Sequence, residues 1–151
     1  MSILLNQPRI TQHVGPIRYS FDPERNLILE EWTGLVTTAE LKTHWEKFLV
    51  DESVINCRRT VVDISASQIT VSGEDFSYLI NTLVKPALNG RKWITAIVIA
   101  NDFQFGVSRQ YGTYADFYSR DQIFRSLDDA FLWISTQHHS DKESGSLKMG
   151  R

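Results

Sequence analysis

The chain has 151 residues, 42% of them hydrophobic and 23% charged, with a formal charge of −2 at pH 7 and a pI near 6.1. That length suits one domain, the composition excludes a globally disordered chain, and the slight acidic excess excludes a broad nucleic-acid face, which needs a strong basic surplus. No stretch approaches the ~20 apolar residues that span a bilayer, and the lone cysteine, Cys57, cannot form an internal disulfide, so a reducing, cytoplasmic compartment is expected.

The start, Met-Ser-Ile-Leu-Leu-Asn-Gln-Pro, lacks the basic opening and long apolar run of an export signal. Residues 1–16, with Pro8, Gly15 and Pro16, read as an irregular segment. Ile17 to Phe21 reads as a strand, Asp22-Pro23-Glu24-Arg25-Asn26 as a turn, and Leu27 to Trp32 as the return strand of a hairpin, stopped at Gly34. Thr37 followed by Glu40 is a capping box. Leu41, Trp45, Phe48 and Leu49 follow at helical spacing, so a helix is expected over about 38–50.

Arg59 to Ile64 is short and β-branched, which predicts a buried strand ending near Asp63. A second helix opens after Ser72, with Phe76, Leu79, Ile80, Leu83 and Val84 as its buried face and Pro86 and Gly90 closing it. Trp93 to Ala100 is almost continuously apolar, the pattern of a central strand. Asn101 or Asp102 caps a third helix reaching about Tyr118, with Phe103, Val107, Tyr111, Tyr114 and Tyr118 as its stripe. A brief strand at Gln122 to Phe124 follows. Ser126 then caps a last helix that buries Leu127, Phe131 and Ile134. The domain is thus expected over 17–137, and residues 138–151 form a polar tail without periodicity, expected to be disordered. The order β-β-α-β-α-β-α-β-α defines an α/β domain: a five-stranded mixed sheet with four helices.

The stretch from Thr60 to Gly73 resembles the STAS domain, the fold of the bacterial anti-sigma-factor antagonist SpoIIAA. That family carries a strand, an aspartate at its end, a short link, then Asp-Ser-Ser-Gly opening a helix. Here Asp63 follows the strand and Ser72-Gly73 opens the helix. The segment Ile123 to Ile134, "IFRSLDDAFLWI", is similar to the ending of small uncharacterised SpoIIAA-like bacterial proteins. The resemblance covers roughly residues 17–136 and implies the STAS, or SpoIIAA-like, fold. In the phosphorylated antagonists the serine directly before the glycine accepts phosphate from a partner kinase, and that position matches Ser72. This chain has Thr70 and Val71 where the family shows aspartate and a first serine. A serine there also serves as a helix N-cap, with Asp75 placed to complete an imperfect capping box. Ser72 is therefore either a phosphoacceptor or a cap.

No catalytic set and no metal motif stands out, so neither a cofactor nor an enzymatic activity is expected. His13 and His44 are isolated, and His138-His139 lie adjacent in the tail. Asp63 is either a catalytic carboxylate or a turn cap. Arg58 and Arg59 can lower the pKa of Cys57, but no histidine partner lies near it in sequence. Asn89-Gly90-Arg91-Lys92 lacks the spacing of a phosphate loop. The third helix is less ordinary: Phe103, Phe105, Tyr111, Tyr114, Phe117 and Tyr118 are six of the chain's 17 aromatics. One stripe cannot hold them all. Phe103, Phe105, Tyr111 and Phe117, with Arg109 for an anionic group, are the candidate partner or ligand surface. The first expectation is a non-enzymatic regulatory or interaction domain that acts by protein–protein contact, including as a homodimer. The alternative is a binder of a lipid or other small apolar ligand, because similar folds include the lipid-binding Sec14 type.

Overall fold

A computed structural model describes residues 11–139. Its strands are β1 (Thr11–Val14), β2 (Ile17–Asp22), β3 (Leu27–Thr37), β4 (Arg59–Thr70), β5 (Trp93–Val98) and β6 (Ser119–Phe124). The helices are α1 (Thr38–Phe48), α2 (Glu52–Cys57), α3 (Gly73–Leu79), α4 (Lys85–Leu88), α5 (Asp102–Ala115) and α6 (Leu127–Ile134). The strands lie side by side in chain order. β1, β2 and β3 pair antiparallel, and β3 through β6 pair parallel. The expected mixed α/β sheet is present, and β1 joins it at the edge. That strand falls within the segment read as irregular. Residues 1–10 and 140–151 lie outside the described residues, and with them nearly all of the expected tail; His138 and His139 are described and have no regular secondary structure.

Side chains alternate across the sheet, which divides the core in two. One face carries Ile17, Tyr19, Ile28, Trp32, Trp93 and Ile97 and is covered by the apolar stripes of α1, α3–α4 and α5. The other face carries Leu27, Val61, Ile94, Ala96 and Val98 and is covered by Ala130 and Ile134 of α6. β5 is buried along its whole length because both faces are covered.

Several boundaries differ from the sequence reading: β6 begins at Ser119 rather than Gln122, α5 ends at Ala115 rather than Tyr118, and three others differ for a clear physical reason. β3 does not stop at Gly34: the glycine adopts φ +69° and the strand continues to Thr37, the left-handed conformation glycine accepts readily. β4 does not end at Asp63. It pairs with β5 only as far as Asp63↔Val98, but with β3 it continues, past a bulge, to Thr37↔Thr70. Asp63 is therefore a mid-strand residue, and it accepts hydrogen bonds from the backbone N–H (3.0 Å) and the hydroxyl (2.6 Å) of Ser65. The second helix does not close at Pro86. A π-helical stretch, Ile80–Val84, links α3 to α4, and Lys85 N–H donates to Ile80 C=O. Widening the turn there accommodates a proline that cannot supply an N–H, and the helix ends instead at Asn89 with φ 51°.

Candidate functional site

Helix α5 builds the candidate site. Asn101 caps it, its Oδ1 accepting from Gln104 N–H at 2.9 Å. The inward stripe is Gln104, Ser108, Tyr111, Ala115 and, just past the helix end, Tyr118; of the expected stripe, Val107, Tyr111, Tyr114 and Tyr118 pack against the core and Phe103 does not. Gln104 is buried because its amide completes the sheet. Where β4 runs on beyond β5, Gln104 Nε2 lies 3.0 Å from Ile64 O, which also accepts from Ser67 Oγ at 2.7 Å, 3.2 Å from Ser65 O and 3.0 Å from Ser67 O. Its Oε1 accepts from Ala100 N–H at 2.6 Å.

Between this stripe and the sheet lies a chamber of about 100 Å³. Seven aromatic residues line it: Trp32, Trp45, Phe48, Phe76, Trp93, Tyr111 and Tyr118. Val62, Ile64, Ile69, Val84, Ile97 and Val107 add apolar wall, and Glu30, Thr60, Thr95 and Ser108 add polar groups. The strand register explains the mixture. Glu30↔Val62↔Ile97 and Ile28↔Thr60↔Thr95↔Asp121 are cross-strand rows on the covered face.

The polar groups are held by aromatic neighbours. Trp32 Nε1 donates to Glu30 Oε2 at 2.7 Å, and Trp93 Nε1 donates to Thr60 Oγ1 at 2.9 Å. The hydroxyls of Tyr111 and Tyr118 share a hydrogen bond at 2.6 Å. Burial, the nearby Asp121 charge and each other's presence hold Tyr111 well above the ordinary phenol range, and burial raises Tyr118 likewise. Both are neutral hydroxyls at physiological pH. Glu30 is only 4% exposed. Its Oε2 also lies 3.2 Å from Nε2 of the fully buried His44, but the angles there are not those of a hydrogen bond. Ser108 Oγ is buried without a hydrogen-bond partner.

On the far side of Ser108 a second, more polar groove of about 430 Å³ runs between α5 and β6, lined by Arg109, Thr113, Asp116, Ser119 and Asp121 among others. Ser119 Oγ donates to Asp121. Burial outweighs that bond and, with the charge of Asp116, lifts the Asp121 carboxyl to about 6.

The candidates from sequence are not brought together. Tyr111 faces the chamber. Phe103, Phe105 and Phe117 stand 62%, 38% and 46% exposed. Phe105 lies in the first turn of α5, whereas Phe117 lies in the turn beyond its last residue, Ala115. The Arg109 guanidinium lies 5.7 Å from the Phe105 ring centre, and Lys85 Nζ lies 5.0 Å from that of Phe117. Ser72 is exposed at the N-cap of α3, its Oγ accepting from Asp75 N–H at 3.1 Å. Gly73 beside it faces α5 so closely that a Cβ would stand 2.6 Å from Gln110 Nε2. Cys57 is buried, and burial raises its thiol despite Arg58 and Arg59, which reverses the expected direction. His139 Nε2 lies 3.0 Å from Arg58 O. Among the described residues no His, Cys, Asp and Glu group could hold a metal, and no helix is long and apolar enough to cross a membrane. The sequence reading missed Glu30, His44's place beside it, Gln104 and Ser108. The one available signal was their helical spacing: Gln104, Ser108, Tyr111, Ala115 and Tyr118 recur every three or four residues.

No protein-family model matches the chain, and no curated protein matches it. Among solved structures it is similar to an uncharacterised protein of the DUF3478 family with a SpoIIAA-like fold from Shewanella loihica PV-4. The TM-score is 0.48 at 15% identity, over 84% of this chain and 92% of that one.

Proposed function

We propose that this domain is a non-enzymatic binding module that takes a small, largely apolar ligand into the chamber beneath α5. The chamber itself carries this reading: well-packed interiors leave few voids larger than a water molecule. Here an aromatic-lined space coincides with a buried hydroxyl, Ser108 Oγ, that has no partner. A cavity of about 150 Å³ takes benzene, so this one, at about 100 Å³, suits a molecule of roughly four heavy atoms. An acyl chain does not fit unless α5 moves, which sets a small ligand above a lipid. Three of the four tryptophans line the chamber, so indole fluorescence and indole N–H shifts report on its contents. Small apolar fragments are expected to move those signals saturably, and Val107→Phe, which fills the space, is expected to abolish the response. A fragment set that leaves Trp32, Trp45 and Trp93 unmoved would sink the reading.

A second reading, contact with a protein partner or a second copy of this chain, is favoured by the exposure of Phe103, Phe105 and Phe117. Light scattering across a concentration series tests the homodimer form, and a constant monomer mass at high concentration removes it.

A further inference from the structure

We infer that the ligand of the chamber is a small organic cation of the alkylammonium class; the inference rests on the chamber being a ligand site. Four observations converge. First, aromatic ring faces attract cations, tryptophan most strongly, and Trp32, Trp45 and Trp93 all line the space. Second, the chamber contains a carboxylate. Glu30 is 4% exposed, its Oε2 is occupied by Trp32 Nε1, and its Oε1 accepts no hydrogen bond from any described residue. A buried carboxylate without a counter-charge is costly, and an entering cation removes that cost. Third, no lysine or arginine lines the chamber, so an anion such as a fatty-acid carboxylate finds no counter-charge there and faces Glu30. Fourth, scaling from the benzene-sized cavity, a space of about 100 Å³ suits roughly four heavy atoms, so the compact tetramethylammonium ion, with about five, stands at its upper limit.

His44 is the group that competes. Its Nε2 lies 3.2 Å from Glu30 Oε2, and it offsets that charge only when protonated. Both test molecules are therefore compared at one and the same pH.

The test compares tetramethylammonium with tert-butanol, a neutral molecule of the same heavy-atom count, at constant ionic strength, by indole fluorescence and indole N–H shifts. Tetramethylammonium is expected to bind roughly tenfold or more tighter than tert-butanol. Glu30→Gln, a change of charge at constant shape, is expected to erase that preference. Equal binding of the two molecules, or a preference that survives Glu30→Gln, overturns the cation inference and leaves the chamber reading standing. Binding of neither overturns both. If Glu30→Gln does not fold, the preference measured on the native protein decides alone.

Discussion

Ser72 Oγ accepts a hydrogen bond from Asp75 N–H at 3.1 Å, while the Asp75 carboxylate turns away to Thr38, whose Oγ1 donates to it at 2.8 Å. The aspartate thus does not answer Ser72 as a capping box would. It ties the first turn of α3 to the first turn of α1. A cap of this kind is typically worth about 1 kcal/mol, and aspartate and asparagine cap as well as serine. Ser72→Ala is expected to lower stability by about 1 kcal/mol and Ser72→Asp by much less, read from urea midpoints. Equal losses would argue that the hydroxyl matters for something besides the cap. Intact-mass measurement of protein recovered from its native cells checks separately for phosphate on Ser72.

Gln104 stands in for a missing strand. β5 has parted from β4 after Asp63, and without the Gln104 amide the carbonyls of Ser65 and Ser67 lose this donor, while Ile64 O keeps the Ser67 hydroxyl at 2.7 Å. A buried polar group left unsatisfied costs about 1–3 kcal/mol. Gln104→Leu is expected to destabilise by about 2 kcal/mol. Gln104→Glu is expected to cost more at neutral pH, because it sets a carboxylate against carbonyl oxygens, and to recover part of the loss in acid, where a protonated carboxyl donates again. If the glutamate variant proves the more stable of the two at pH 7, the bridging role is wrong.

How much of this was legible in the sequence follows from the range of the forces. Caps are local, so Thr37, Ser72, Asn101 and Ser126 were readable, and all four cap their helices. The apolar faces of α1 and α3 were readable from spacing alone. β4 beyond Asp63 was not. Its residues Ser65-Ala66-Ser67-Gln68 have the composition of a link, and only pairing with β3 holds them extended. The inward face of α5 was legible in Val107, Tyr111, Tyr114 and Tyr118, which pack against the core, but its polar members Gln104 and Ser108 are buried without an apolar signal, and Phe103, which has one, is exposed. α2 was passed over although Asp51 carries the cap signal, its Oδ1 accepting from Ser53 N–H at 3.0 Å. The chamber joins Glu30, Thr60, Thr95 and Ser108 from four elements, and no local pattern encodes such a meeting.

Arg59 fastens the two ends of the domain. Its guanidinium donates to Ile134 O at 2.7 Å and Gln137 O at 3.0 Å at the end of α6, and to Arg25 O at 3.0 Å in the β2–β3 turn, with Asn26 O beside it. Burial lowers its pKa, but arginine keeps its proton at any working pH. The planar fork that reaches all of these carbonyls is not available to lysine. Arg59→Lys is expected to cost about 2 kcal/mol and Arg59→Ala more, with hydrogen exchange accelerated first in α6. Exchange that quickens evenly across the sheet, leaving α6 no different from the rest, would contradict this role.

Asp121 makes stability depend on pH with a definite sign. Its folded-state pKa, about 6, is raised from an ordinary value of 3.8 by burial against β5 and α5. Below about pH 4 the carboxyl is neutral in both states, and its favourable contribution is fully present. As pH rises from 4 through 6 the unfolded chain releases this proton first, so the folded state loses that contribution, and above 6 the loss is complete. Two pH units correspond to at most about 3 kcal/mol, and partial exposure of the side chain reduces this to about 1–2 kcal/mol. Asp121→Asn keeps an acceptor for Ser119 and removes the titration. The variant is expected to match the native protein near pH 4 and to exceed it by about 1–2 kcal/mol at pH 7–8. Urea midpoints of the two proteins, taken at unit steps from pH 4 to 8, should therefore diverge between 4 and 6 and run parallel above. Midpoints that stay parallel throughout would mean that Asp121 titrates normally and that the groove beneath α5 is wetter than its geometry implies.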